Sequence, residues 1–363
     1  MQVNAGRPRA IVDLSSRVEC KFAASPKRVY NAPMRQPWKK VRYQLEWLGL
    51  LIAAKVIPLL PRRICFYLGQ IFGALASVFD WRGRKVALSN LEAAFGDRLS
   101  IFARRRIVRQ SYQYFVRSMI DLFWTPRLTK DNFWHYIHIE NLEQFHKEVG
   151  PSKTAIAASM HYGNFEWLSL ALGFIGYPAE VVTKEFKNPL LNPVFKKVRG
   201  QFGHNIVPRE GAIVRLYKTL RRGGSVAILV DLWLHPNLPS VAIDCFGLKA
   251  CVTMAHAWLH EKTGAPILPA HCEPLPNGRY RIVAHPKVEI PPGATYEQIA
   301  QACWDVFEPV VRKNPAPWLW MYKYWRYKPA ATRRRYPFYA RESRRFEKLL
   351  ARAAENPARP ASR

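Results

Sequence analysis

Acidic residues are scarce in this 363-residue chain: 26 Asp and Glu stand against 56 Lys and Arg, a formal net charge of +30. That deficit calls for polyanionic partners, whether nucleic acid, an anionic membrane or a phosphorylated substrate. Cysteine is sparse too. Cys20, Cys65, Cys245, Cys251, Cys272 and Cys303 are scattered with no C-x-x-C pair, which argues against a disulfide framework or a structural zinc site and for a reducing, cytosolic face. The first 40 residues hold no apolar h-region, so no signal peptide is expected. The phosphate-cradling loops G-x-x-x-x-G-K and G-x-G-x-x-G are missing, and so is the G-x-S-x-G elbow of a serine nucleophile. H-E-x-x-H is missing as well. His256 and His260 have ligand spacing on one helix, but Ala257 and Trp258 fill the middle, and His135 and His138 lack a third ligand; these are read as structural, with no metal expected. No internal repeat is present.

Apolar residues make up 49% of the chain, enough for a real core in one large domain or two. The chain is organised around Ala155–Trp167. Ala155–Ser159 is a short apolar run, Gly163-Asn164 follows, and an apolar helical pattern begins at Phe165, so the spacing predicts strand, turn and helix. His161 and Glu166 lie five residues apart, which on one continuous helix would point them roughly 140° away from each other. They converge only across a turn, which Gly163 permits and Asn164 can follow as helix cap. Glu166 then falls in the first helical turn, where a carboxylate is favoured, and His161 at the carboxyl end of a strand, where open α/β sheets place their sites. The chemistry expected is a general base, His161, oriented by a carboxylate, Glu166. A core histidine beside an ordinary glutamate is the structural alternative. Ser159 lies on the same strand face as His161 and is a weaker candidate for an acyl-enzyme.

Further strands are expected at Phe133–His138, Pro178–Thr183, Asn205–Pro208, Ser225–Val230 and Ala242–Phe246. Helices are expected at Arg104–Phe123, Ala212–Arg222, Thr253–Lys262 and Tyr296–Val311, and Asn277-Gly278 signals a hairpin. The alternation predicts an α/β fold with a mostly parallel central sheet flanked by helices and an antiparallel edge. In such a sheet Arg209 and Asp231 follow strand ends. Arg209 and Lys249 could bind phosphate, and Asp231 could orient an arginine or the acceptor; a solvated surface is the alternative for the bases. Leu45–Leu60, preceded by Lys39, Lys40 and Arg42, would make about 24 Å of helix, short of a roughly 30 Å hydrocarbon core. An interfacial anchor or a buried core helix both fit it, and Ile64–Phe79 could join it. Residues 1–37 are expected as a basic leader with Met34 as an alternative start, 38–80 as membrane-associating helices, 81–327 as the main domain, and 328–363 as a basic tail with a short helix at 341–354 and disorder from Pro357.

His-x4-Glu after an apolar strand resembles the signature of the glycerolipid acyltransferase superfamily. From about Trp38 to Trp325 the chain resembles one branch, the late lipid A acyltransferases (lauroyl and myristoyl transferases) and their phosphatidylinositol-mannoside relatives. Asn90-Leu91 with Ala94-Phe95 resembles the Asn-Leu…Ala-Phe block. Arg199, after Lys187-Asn188-Pro189, matches an arginine near the family's site. Asn314-Pro315-Ala316-Pro317-Trp318-Leu319-Trp320 with Trp325 is similar to the carboxyl-terminal Trp-rich segment, which suits a membrane boundary or a packed edge equally. The resemblance implies a glycerolipid-acyltransferase-like fold and transfer of a fatty acyl group from acyl carrier protein or CoA to an anionic glycolipid or lipid A precursor. It implies His161 and Glu166 as catalytic and Arg199 near the substrate; Asn164, Arg209, Asp231 and Lys249 are expected toward substrate from their places in the sheet alone. The place would be the cytoplasmic face of a bacterial inner membrane, with no cofactor beyond the thioester. The loop after Asp231 and Lys323-Tyr324 before Trp325 depart from the lipid A pattern, which leaves open a lysophospholipid or mannoside acceptor. A nucleic-acid-binding protein is the competing class, but the charge gathers in the tails and no zinc finger or RNP1-like run is present.

Overall fold

The computed structural model describes residues 37–355. The expected leader up to residue 36, its alternative start, Cys20 and the disorder expected from Pro357 lie outside the described residues. Four helices come first: α1 (Pro37–Val56), α2 (Arg62–Phe79), α3 (Trp81–Phe95) and α4 (Ile101–Trp124). Side-chain caps start two of them: Asp80 accepts from the Gly83 amide and Ser100 from the Ala103 amide, each satisfying a donor the helix itself leaves orphaned. The buried positions of α2 are small, Cys65, Gly69, Gly73 and Ser77, one per four residues. A Cβ on Gly73 would come within 2.3 Å of the Gln113 Cα, so glycine is what lets α2 lie against α4. The large apolar side chains of α2 point outward: Tyr67, Ile71, Phe72, Leu75, Val78 and Phe79 are exposed. On α1, Val41, Leu45, Leu48, Ile52 and Val56 are exposed as well, at spacings of three to four residues that put them on one face. Among the described residues, no single helix is long and apolar enough to cross a membrane.

The chain continues through α5 (Phe133–Tyr136), β1 (Ile137–Glu140), α6 (Leu142–Val149), β2 (Ile156–Ser159), α7 (Phe165–Phe174), β3 (Ala179–Thr183), α8 (Asn192–Arg199), β4 (Asn205–Pro208), α9 (Ala212–Arg221) and β5 (Ser225–Leu229). It ends with β6 (Ser240–Cys245), β7 (Leu248–Thr253), α10 (Ala255–Thr263), β8 (Ile267–Pro274), β9 (Tyr280–Ala284), α11 (Tyr296–Lys313) and α12 (Arg344–Glu355). The main sheet has the order β1-β9-β8-β2-β5-β3-β4. Strands β8, β2, β5, β3 and β4 run parallel, while β9 is antiparallel to β8 and parallel to β1. The expected mostly parallel sheet with a reversed edge is therefore present, and the Asn277-Gly278 turn joins β8 to β9 with Asn277 at φ +60.

Two local expectations fail. Phe133–His138 is a helical turn leading into β1 rather than a strand. Thr129 and Asn132 exchange side-chain-to-backbone hydrogen bonds of 2.9 and 3.2 Å just before it, and Phe133 stacks on Phe174 at 4.2 Å. Thr253, expected to start a helix, instead ends β7, whose residues 248–253 pair antiparallel with β6 as a separate two-stranded sheet. Phe246 and Gly247 make the turn between them with φ of +56 and +75, as two-residue hairpins require. Trp318, Trp320 and Trp325 pack around Phe246 and are fully buried, so the Trp-rich segment is a packed core rather than a membrane boundary.

Candidate active site

Strands β2 and β5 are parallel neighbours with Ser159 opposite Leu229. Two residues past each strand, His161 and Asp231 emerge side by side. The imidazole Nδ1 is 2.8 Å from Asp231 Oδ1, and the His161 amide donates to Oδ2 at 2.9 Å. The Trp318 indole donates to the same Oδ2 at 3.0 Å. Burial works to raise the Asp231 pKa, but the imidazole charge and the hydrogen bonds from His161 and Trp318 outweigh it and hold the carboxyl below its ordinary range. With Nδ1 engaged by a carboxylate, Nε2 is the nitrogen left to accept a proton. It has no hydrogen-bond partner among the described residues.

The expected turn is present. Gly163 has φ +56, and a Cβ there would fall 1.8 Å from the Cys272 carbonyl oxygen, so only glycine fits. Its carbonyl accepts from Ser118 Oγ at 2.8 Å, and its amide donates to the Pro317 carbonyl at 3.0 Å. Asn164 caps α7 as expected: its Oδ1 accepts from the Trp167 amide at 3.0 Å. Its Nδ2 donates to Asp121 Oδ2 at 2.9 Å. Fully buried and with its side chain engaged at both ends, Asn164 holds the turn and does not line the cavity described below.

The expected His161–Glu166 hydrogen bond is not formed. Glu166 instead grips Arg199 in a two-point pair, Arg199 Nε to Oε2 at 2.9 Å and Nη2 to Oε1. Burial opposes the Arg199 charge, but Glu166 raises its pKa above the usual arginine value. The physical reason lies in the sheet. Glu166 sits in the first turn of α7 facing the end of α8, whereas the carboxylate within reach of the imidazole comes from the neighbouring strand 70 residues away. The placement of Asp231 at a strand end was foreseen; its role as the partner of His161 was not.

A buried network missed in the sequence stands behind the turn. Asp121 on α4 receives Arg62 from α2 on both oxygens, with Nη2 to Oδ2 at 2.9 Å, besides Asn164 and the Tyr280 hydroxyl at 2.5 Å. Arg62 also donates to the Gly278 carbonyl at 3.0 Å, and its guanidinium lies 4.9 Å from the Trp167 ring. Arg117 Nε donates to the Tyr280 hydroxyl at 2.9 Å. The signal for Asp121 was a lone acid between apolar neighbours, Ile120 and Leu122-Phe123, on a helix otherwise rich in bases.

Between α7 and one face of the sheet runs a cavity of about 270 Å³. His161, Glu166 and Arg199 line it at the carboxyl ends of the strands; Ala157, Leu168, Leu172 and Leu268 line it deeper down. Small Ala157 and Ala227 leave the room, and the lining is mainly apolar. Ser159 also lines it, with its hydroxyl 3.5 Å from the Met160 carbonyl. Arg209 is exposed beyond β4 and does not line the cavity. Lys249 is not brought to the site either: it lies on β7 and pairs with Asp244 of β6 at 2.9 Å, because the alternation Leu248, Ala250, Val252 buries the other face of that hairpin. His256 is buried within α10, and His260 Nδ1 bonds the Ala265 carbonyl at 2.8 Å.

Over residues 33–327 the chain matches the family model described as bacterial lipid A biosynthesis acyltransferase. It is similar to the lipid A biosynthesis lauroyltransferase of Escherichia coli (strain K12), with which it is 23% identical over 301 residues, 81% of this chain and 95% of that protein.

Proposed function

The chain belongs to the bacterial lipid A biosynthesis acyltransferase family, and from that premise we propose that it moves a fatty acyl group from an acyl thioester, of acyl carrier protein or of CoA, to a hydroxyl of a lipid A precursor. The observation that carries this reading is a histidine–carboxylate pair at the open end of an apolar cavity. His161 Nε2 takes the proton of the acceptor hydroxyl, and Asp231, not Glu166, fixes the tautomer and stabilises the imidazolium. The alkoxide attacks the thioester carbonyl. The tetrahedral oxyanion needs donors, and the amides of His161, Tyr162 and Gly163 are already spent on Asp231, Met160 and Pro317. Arg199, which lines the cavity, is the donor in this reading: Glu166 holds two of its five N–H groups and leaves the rest for the oxyanion. Collapse expels the thiolate, which takes the proton from His161. The acyl chain lies along Ala157, Leu168 and Leu172, a fitting place for a saturated chain such as the lauroyl group in the relative's name. The chemistry calls for no cofactor beyond the thioester.

Replacing His161 by Ala is expected to remove one acyl chain from the membrane glycolipids of the producing cell, read by mass spectrometry of extracted lipid A. Unchanged lipids would sink the assignment.

We place the enzyme on the cytoplasmic face of the inner membrane. Support comes from the large apolar side chains that α1 and α2 turn outward, those of α2 opposite a buried stripe of small residues, an arrangement that a water-facing surface does not explain. Lys39, Lys40 and Arg42 flank that face, and each base near an anionic leaflet adds about 1 kcal/mol. Changing Leu45, Leu48 and Ile52 to Lys is expected to release the protein from floated anionic vesicles without loss of helicity; flotation unchanged by the substitutions would refute this placement.

A further inference from the structure

Asp231 is followed by a loop that carries Trp233 and His235. The Arg326 guanidinium lies 4.5 Å from the Trp233 ring, and the Tyr327 ring is 6.2 Å from Trp233 and 5.8 Å from His235. The Arg341 guanidinium lies 5.7 Å from Tyr327. Arg326 and Arg341 are adjacent across a backbone bridge: the Arg341 amide donates to the Arg326 carbonyl at 3.1 Å, and the Lys328 amide to the Arg341 carbonyl at 3.0 Å. Fully buried Phe346 packs on Tyr327 with ring centroids 5.9 Å apart, which sets Arg345 beside them at the start of α12. Burial, and then the charges of Arg345, Arg341 and Arg326, hold His235 below the usual histidine range.

Among the described residues, nothing neutralises this cluster. Among the described residues, no carboxylate forms an ion pair with Arg326, Arg341 or Arg345. The nearby acids are used elsewhere: Glu342 pairs with Lys328 at 3.4 Å, and Glu347 accepts from the Ala330 amide at 2.7 Å. Arg344 and Arg345 open α12 at the helix end where cations are disfavoured, so helix stability does not explain them. Stacking on aromatic rings keeps guanidinium forks in place with their N–H groups available. Their gathering around the Trp233 and Tyr327 rings suits a compact, multiply charged anion more than the broad face a protein partner needs. The loop that carries Trp233 leaves directly from the catalytic pair, two residues beyond Asp231.

We propose that Arg326, Arg341 and Arg345, gathered around the loop after β5, bind a phosphate group of the acyl acceptor and so place its hydroxyl at His161. This rests on the acceptor being a phosphorylated glycolipid, as in the function proposed above. The test uses the full chain in detergent, with inorganic pyrophosphate as probe in calorimetry and two acceptors in a transfer assay, a bisphosphorylated lipid A precursor and its dephosphorylated form. Changing Arg326, Arg341 and Arg345 together to Gln is compared with Lys218→Gln, Arg221→Gln and Arg222→Gln at the opposite end of the sheet, which removes the same charge.

The expected result is that the first set weakens pyrophosphate binding and raises KM for the bisphosphorylated acceptor by about tenfold or more, with kcat and the dephosphorylated acceptor little changed. The control set should alter neither. Equal pyrophosphate affinity in the two sets, an equal KM rise for both acceptors, or a rise in KM for the thioester donor alone would each overturn the proposal. Should the native protein acylate neither lipid yet bind pyrophosphate through these arginines, the anion site stands and the acceptor assignment falls. If the triple variant does not fold by circular dichroism, Arg345→Gln alone, on the exposed start of α12, carries the same comparison.

Discussion

Asp231→Asn lowers kcat by about 10²–10⁴-fold, the range attached to a general base and its orientation, and does so more severely than Glu166→Gln. The amide of Asn is nearly isosteric but can offer an N–H to Nδ1. That stabilises the tautomer in which Nε2 already carries the proton, so the ring can no longer accept one from the acceptor hydroxyl. KM should move little, because Asp231 is buried and touches His161 and Trp318 rather than the cavity. Glu166→Gln leaves the His161–Asp231 bond intact and loosens Arg199, so its cost falls on oxyanion stabilisation. Folding must be checked in parallel. The depressed pKa of Asp231 means that its ionised form stabilises the native state above the ordinary carboxylate range and that this contribution is lost as pH falls through the lowered value. The Asn variant therefore lacks it at neutral pH, and melting curves separate lost stability from lost chemistry. Steady-state rates showing Glu166→Gln equal to or worse than Asp231→Asn would mean that the imidazole turns to Glu166 during catalysis.

That contrast also marks the boundary of what the chain reveals by itself. The strand–turn–helix around His161 was legible because each part is local: the apolar run of β2, the positive φ that only Gly163 tolerates, and the Asn164 side chain capping its own helix. The reversed edge was legible from Asn277-Gly278 for the same reason. The partner of His161 was not, because it depends on β5 lying beside β2, a pairing set by burial across the whole sheet. Lys249 shows the converse. In a chain with 56 basic residues a lysine near a turn carries almost no information, and the alternation of Leu248, Ala250 and Val252 was the better guide to its place. The small-residue stripe of α2 was present in the sequence as Gly69 and Gly73 four apart. It was concealed by the bulky apolar side chains of the opposite face, which made the stretch look uniformly apolar.

Asp121→Asn is expected to cost about 3–5 kcal/mol of folding stability, the amount associated with removing one partner of a buried ion pair. Arg62 enters this pocket with a side chain only 9% exposed, and the Asp121 side chain is wholly buried, so solvent cannot replace the lost charge. Asn at this position would turn an N–H₂ toward donors that converge there from Arg62, Asn164 and the Tyr280 hydroxyl. A buried donor facing donors is worse than an absent bond, since each group has already lost its water. The loss should also reach the chemistry. Asn164 would hold the start of α7 without its own anchor, and the turn that presents His161 would be tied mainly by Ser118 and Pro317. Equilibrium urea unfolding checks the first effect, and the kcat of the fraction still folded checks the second. A destabilisation under about 1 kcal/mol, below even the usual value of a charged hydrogen bond, would show that Arg62 finds compensation elsewhere. The link from the N-terminal helices through Asp121 to the turn that carries His161 would then be packing alone.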